Sequence, residues 1–239
     1  MTPQPAETAV RTLMTAAFPS SVTILTGYYG SGKTEVALNL ALGLGGTGQP
    51  VRLVDLDFLK PCFRSREQRQ YLASRGVELV APTGEKETAD LPLVLPCVGP
   101  MLAGQRSGRT IVDLAGDAGG ARAIGQFSTV LKGHDLLMVV NTLRPFASTV
   151  DRIRRAAHEL AQVTRTRITG LVANSNMAGV TEPDMVLAGA ALVREAAAAL
   201  EIPVRAVMIP DFLELDTSSI PEPCLTLHRH VLAPWEREE

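Results

Sequence analysis

Along this chain, short runs of Val, Ile and Leu alternate with longer stretches rich in Ala and Leu. Seven of the short runs have strand length: SVTILT, VRLVDLD, VELVAP, RTIVDLAG, DLLMVVN, ITGLVANS and VRAVMIP. They are apolar at consecutive rather than alternate positions, the pattern of strands covered on both faces. Between them, apolar residues recur at helical spacing and predict helices over Lys33 to Gly45, Arg64 to Arg75, Pro92 to Ala103, Ala121 to Lys132, Ser148 to Val163 and Glu182 to Leu200. This alternation predicts an α/β fold, a doubly wound, mostly parallel seven-stranded sheet with helices on both faces. Ahead of the first strand, PAETAVRTLMTAAF sets Val10, Leu13, Met14 and Ala17 at helical spacing. It predicts a packing helix in an N-terminal extension, residues 1–20, followed by a single domain over 21–239. The Pro/Gly/charge-rich stretch Ala81 to Pro92 reads as a surface loop, because the alternation resumes after it.

Polar residues break the pattern where strands stop, the edge at which open α/β sheets bind ligands. The first such cluster, Gly27-Tyr28-Tyr29-Gly30-Ser31-Gly32-Lys33-Thr34, matches G-x-x-x-x-G-K-[ST] in full, with a strand before it and a helix after it. Glycines let the backbone turn N–H groups around an anion, and the helix start adds a favourable dipole. Lys33, one of only four lysines, is placed to reach the β- and γ-phosphates of a nucleotide, and Thr34 to hold Mg²⁺. Glu35 follows directly and belongs to the same candidate binding set. Asp113 ends a strand and is followed by Gly116 at D-x-x-G spacing, which predicts a metal-organising carboxylate and a glycine whose N–H senses the γ-phosphate. Asp55 and Asp57, two apart on an ending strand, can point to one side. One of them would support the metal's water shell; Asp57 is the candidate to orient or deprotonate an attacking water. The predicted metal set is therefore Thr34, Asp55, Asp57 and Asp113, and the predicted catalytic set Lys33, Asp57 and Asp113.

Composition narrows the partners. With 239 residues, a hydrophobic share of 46% and a formal charge of -2, the chain can bury a sizeable core and is a poor wholesale binder of nucleic acid, although its nineteen arginines can form local patches. Cys62, Cys97 and Cys224 are odd in number and far apart, which suggests neither a disulfide framework nor a metal knuckle and fits a reducing cytoplasm. The four histidines lack triad or HExxH spacing. No charged-then-apolar leader is visible, and the apolar runs end well before the roughly 18 residues of a membrane span. A cytoplasmic protein without a membrane partner is the expectation.

These residues resemble the deviant-Walker ATPases of the MinD/ParA/CobQ-CobB kind, within the SIMIBI class of P-loop proteins. The resemblance spans roughly Val22 to Leu213 and rests on the cradle, VDLD, IVDLAG and DLLMVVNTLRPFAST, with ITGLVANSNMAG and VRAVMIPDF where those families place their base-binding segments. It implies that Asn174 or Asn176 and the Pro210-Asp211 loop contact the base. Because NSNM lacks the N-K-x-D pattern of guanine-binding loops, ATP is the expected nucleotide, with Mg²⁺. One departure stands out: Tyr28 occupies the position of a signature lysine that, in the MinD/ParA group, reaches across a nucleotide-dependent homodimer. Lys60, Arg64 and Arg66 are candidate replacement cations. The leading expectation is a Mg-dependent ATPase switch acting on a protein client. The alternatives are a small-molecule kinase or ligase resembling CobB or dethiobiotin synthetase, and a ParA-like DNA-associated organiser.

Overall fold

The computed structural model describes residues 5–45, 49–56, 69–80, 98–105, 107–116, 125, 127–129 and 134–231. Among the described residues eight strands form one sheet: β1 (Val22–Thr26), β2 (Val51–Leu56), β3 (Val77–Val80), β4 (Arg109–Leu114), β5 (Asp135–Val140), β6 (Gly170–Ala173), β7 (Val204–Pro210) and β8 (Cys224–Leu227). Their order is β3-β2-β4-β1-β5-β6-β7-β8, and every pairing is parallel. The helices are α1 (Pro5–Ala17), α2 (Lys33–Leu44), α3 (Arg69–Ser74), α4 (Val98–Leu102), α5 (Val150–Thr164) and α6 (Pro183–Leu200), with a 3-10 turn at Pro145–Ala147.

The seven strands expected from sequence are all present, and β8 is an eighth. β1, β2, β5 and β6 are buried at every position, because helices cover both sides. On one face Leu25, Leu53, Ile111, Leu137 and Met208 pack with Val36, Leu40 and Leu44 of α2 and with Met14 and Phe18 from and just after α1. On the other, Ile24, Val54, Val112, Met138 and Val207 pack with Ile153 and Leu160 of α5 and Val186 and Val193 of α6. β8 lies at the sheet's edge, where burial alternates along CLTL. A four-residue edge strand preceded by Pro221 and Pro223 carries too little of the continuous apolar signal to be read as a strand.

Local chemistry sets the helix ends. Thr149 caps α5 by accepting from the Arg152 N–H at 3.3 Å. Pro183 opens α6, and Arg165 and Glu201 close α5 and α6 in left-handed conformations, φ 54° and 57°. Among the described residues no helix is long and apolar enough to cross a membrane. The chain runs from β1 outward to β3 and returns at β4. It then crosses over β1 to lay β5 through β8 on the far side. That reversal about β1 opens a crevice at the strands' carboxyl ends.

Candidate nucleotide site

Thr26 ends β1, and the next turn uses positive φ at Gly27 (144°), Gly30 (78°) and Gly32 (85°). A side chain at Gly27 would place its Cβ 2.5 Å from the Val139 carbonyl oxygen, so here glycine is needed for space as well as for conformation. The loop closes on itself through Ser31 N–H to the Tyr28 carbonyl at 3.1 Å, and Val36 N–H to Gly32 O at 3.0 Å begins the helix. Two of its carbonyls are held from outside. Asn174 Nδ2 donates to Ser31 O at 2.8 Å; Asn141 Nδ2 and Arg144 Nε donate to Gly30 O at 3.2 and 3.3 Å. Lys33, at the head of α2, is 7% exposed and has no carboxylate partner among the described residues.

Thr34 Oγ1 donates to Asp113 Oδ2 at 2.7 Å. Asp113 and Asp55 are register partners on β4 and β2, so their side chains share one face of the sheet, the one α2 covers. Both are buried. Carboxylate and hydroxyl oxygens such as those of Asp113 and Thr34 are the hard donors that Mg²⁺ takes, and Asp55 lies beside Asp113 in the register. Gly116 touches the loop itself, because a Cβ there would lie 1.8 Å from Gly27 O. The strand-end segment and the first residue of the P-loop are therefore in backbone contact.

A cleft of about 690 Å³ opens over these groups. It is lined by Tyr29, Gly30, Gly32, Lys33, Thr34, Glu35, Asn174, Asn176, Pro210 and Asp211 of the expected set. Gly27, Ser31, Asp55, Asp113 and Gly116 of the expected set are not among its lining residues. Tyr28 faces elsewhere: its hydroxyl donates to the Glu159 carboxylate on α5, and its ring meets Phe146 at 5.1 Å. Burial, the hydrogen bond and the charge of Glu159 together push the phenol up to about 12. Tyr28 thus ties the P-loop to α5. Asp57, Lys60, Cys62, Arg64 and Arg66 lie outside the described residues, as do Cys97 and most of the expected helix Ala121 to Lys132.

Sequence reasoning missed the far wall. Asn141, Arg144, Met177, Phe212, Leu227, Arg229 and Val231 also line the cleft. Asn141 lies at a strand end, a position the strand-end rule does flag. Leu227, Arg229 and Val231 arrive on β8 and the segment after it, which two side chains of α2 clamp. Asn39 donates Nδ2 to His228 O and accepts from His228 N–H, both at 2.8 Å. One turn earlier, Glu35 accepts from His230 N–H at 2.5 Å and Val231 N–H at 3.2 Å. Asp211 Oδ2 meets His228 Nδ1 at 2.8 Å.

Burial, opposed by those two N–H bonds and by the charge of Arg229, pushes the Glu35 carboxyl from 4.5 to about 7. A folded-state value above the unfolded one means that the native state holds the proton more tightly. The associated stability is full below about 4.5 and is lost as pH rises through about 7. Glu35→Gln keeps the size and removes the titration. The melting midpoint of wild type, measured relative to that variant without nucleotide, should therefore fall by several degrees between pH 5 and 8, on the order of 2–4 °C per kcal/mol for a chain of this size. Parallel profiles would refute the assignment.

No protein-family model matches the chain, and neither does any curated protein sequence. Solved structures do match. The signal recognition particle 54 kDa protein from Aeropyrum pernix, determined with GDP, aligns with a TM-score of 0.52 at 21% identity over 80% of this chain and 42% of that one. FtsY from Mycoplasma mycoides aligns with a TM-score of 0.50 at 14% identity over 83% of this chain and 67% of that one. The chain thus spans less than half of the first and about two thirds of the second. At such identities the likeness is one of fold alone: a parallel, doubly wound α/β sheet with helices on both faces.

Proposed function

We propose that this chain binds Mg-ATP in the cleft and hydrolyses it as a switch for a protein client. The observation that carries this reading is the hydrogen bond from Thr34 to Asp113. It joins the head of the P-loop helix to the carboxylate of a neighbouring strand, at the place where a nucleotide-bound cation needs both. Thr34, Asp113 and Asp55 would hold Mg²⁺, which on binding would neutralise charge on the phosphate oxygens. Lys33 supplies a fixed positive charge at the phosphate end. Gly116, in contact with Gly27, lets phosphate occupancy act on the segment after β4. Water would attack the γ-phosphorus in line, forming a new P–O bond as the bond to the β-phosphate oxygen breaks. Asp57 is the proposed residue to orient that water and take up its proton.

Adenine preference is supported at Met177. Counting from Asn174, this residue holds the place of the carboxylate in N-K-x-D, lines the cleft and is 42% exposed. A thioether there is a weak acceptor without charge and does not replace the carboxylate that pairs with the N–H groups of guanine. Asn176 commits Oδ1 to Ala178 N–H at 2.6 Å, which leaves its Nδ2 to donate to N7, an acceptor on either purine. The client role is supported by Tyr29 and Phe212, 61% and 53% exposed at the mouth of the cleft, since large apolar side chains beside a nucleotide site offer a partner a surface whose shape the nucleotide can change.

Labelled Mg-ATP supplied without any acceptor tests the proposal. Slow phosphate release, with ATP preferred over GTP in competition, is the expected result. Strict dependence on an added metabolite would instead make the chain a small-molecule kinase or ligase, and a preference for GTP would overturn the reading of Met177.

A further inference from the structure

Three cations line the cleft among the described residues: Lys33, Arg144 and Arg229. The charge of Arg229 acts on the Glu35 carboxylate. Arg144 differs from it in having no carboxylate partner among the described residues. Among the described residues the hydrogen bond of its side chain runs from Nε to Gly30 O at 3.3 Å. Satisfying that carbonyl does not require an arginine, because Asn141 Nδ2 already donates to the same oxygen at 3.2 Å. What Arg144 adds is charge, carried on a rigid fork that pairs with phosphate oxygens. It lies close to the loop: a Cβ at Gly30 would fall 2.9 Å from Nε and 3.3 Å from Cζ. The left-handed φ of 78° favours glycine at position 30, and the absence of a side chain there leaves the guanidinium room beside the loop.

The backbone around Arg144 is built to hold it there. Asn141 Oδ1 accepts from Leu143 N–H at 3.1 Å, Arg144 N–H donates to Asn141 O at 3.1 Å, and Ala147 N–H returns to Arg144 O at 2.9 Å. Asn141, which braces the P-loop, thus also shapes the turn that presents the arginine. Tyr28 of the same loop turns away from the cleft toward Glu159.

We infer that Arg144 is a second phosphate-directed cation of this site, supplied by the chain itself, acting as a positioning residue for the P-loop and its bound anion. The inference rests on the reading of the cleft as a nucleotide site. Its test compares Arg144→Ala, Arg144→Gln and Arg144→Lys with wild type by calorimetry with ATP and with ADP. Glutamine keeps a donor for Gly30 O and drops the charge; lysine keeps both in a different shape. Alanine and glutamine should each weaken both nucleotides by about tenfold, lysine should recover to within about threefold of wild type, and the melting midpoints without nucleotide should stay together. Glutamine or alanine binding as wild type does, or lysine failing as alanine does, would overturn the role of the charge. Should alanine prove unstable, glutamine against lysine decides the matter. Wild type that retains neither nucleotide would instead remove the nucleotide site, and this inference with it.

Discussion

Lys33→Ala should abolish nucleotide binding while leaving the fold intact. Lys33 is 7% exposed and sits at the head of α2 with no carboxylate partner among the described residues. An ammonium in that position is costly without an anion and strongly favourable with one. Losing the buried partner of a charged group typically costs about 3–5 kcal/mol, which lowers affinity for a triphosphate by at least about a hundredfold. The unliganded variant should melt at the wild-type temperature or above it, since an unmatched charge has left the interior. The rise in melting temperature that ATP confers on wild type should vanish. A variant that binds ATP within a few-fold of wild type would show that the anion docks elsewhere.

Gly116→Ala should have the next largest effect. The added Cβ would stand 1.8 Å from Gly27 O, 2.8 Å from Gly27 C and 3.1 Å from Tyr28 Cα. All three are backbone atoms, so no side-chain rotation relieves the clash; either the segment after β4 or the P-loop must move. Misplacement by about 1 Å in such a site can cost on the order of 100-fold, and a loss of at least about tenfold in both ATP affinity and turnover is expected. Gly76→Ala is the control. Gly76 also has a left-handed φ, 75°, yet a Cβ there meets nothing within 4 Å, so this variant carries backbone strain of roughly 1 kcal/mol and no collision with the loop. Gly76→Ala should bind ATP as wild type does. Equal ATP affinity in the two variants would remove the coupling between Gly116 and Gly27.

How far this architecture could be read from the chain follows from where each signal lies. β1, β2, β5 and β6 were legible because burial on both faces writes an unbroken apolar run. The turn from β1 into α2 was legible because its eight residues are contiguous and three of them are glycines with positive φ. β8 was not, since an edge strand needs few apolar positions and Pro221 and Pro223 just before it read as a loop. The far wall of the cleft was hidden for a related reason. Glu35 finds its backbone donors 195 and 196 residues away, and Asn174 reaches the P-loop across 143. Such pairings are set by the crossover connections, which no local pattern encodes. Tyr28 is the instructive residue: by position it belongs to the cradle, whereas its phenol reaches Glu159 on α5 because the loop's second residue points out of the turn. Arg144 lay unremarked within a segment that was itself singled out, since nothing in LRPF announces that the guanidinium will meet Gly30.

The most direct test of the whole account is a crystal structure with a non-hydrolysable ATP analogue and Mg²⁺. It should show the triphosphate enclosed by residues 27–34, with Lys33 on its β- and γ-oxygens and the metal between Thr34 and Asp113. A triphosphate bound anywhere else, or a P-loop left empty at saturating analogue, would contradict it.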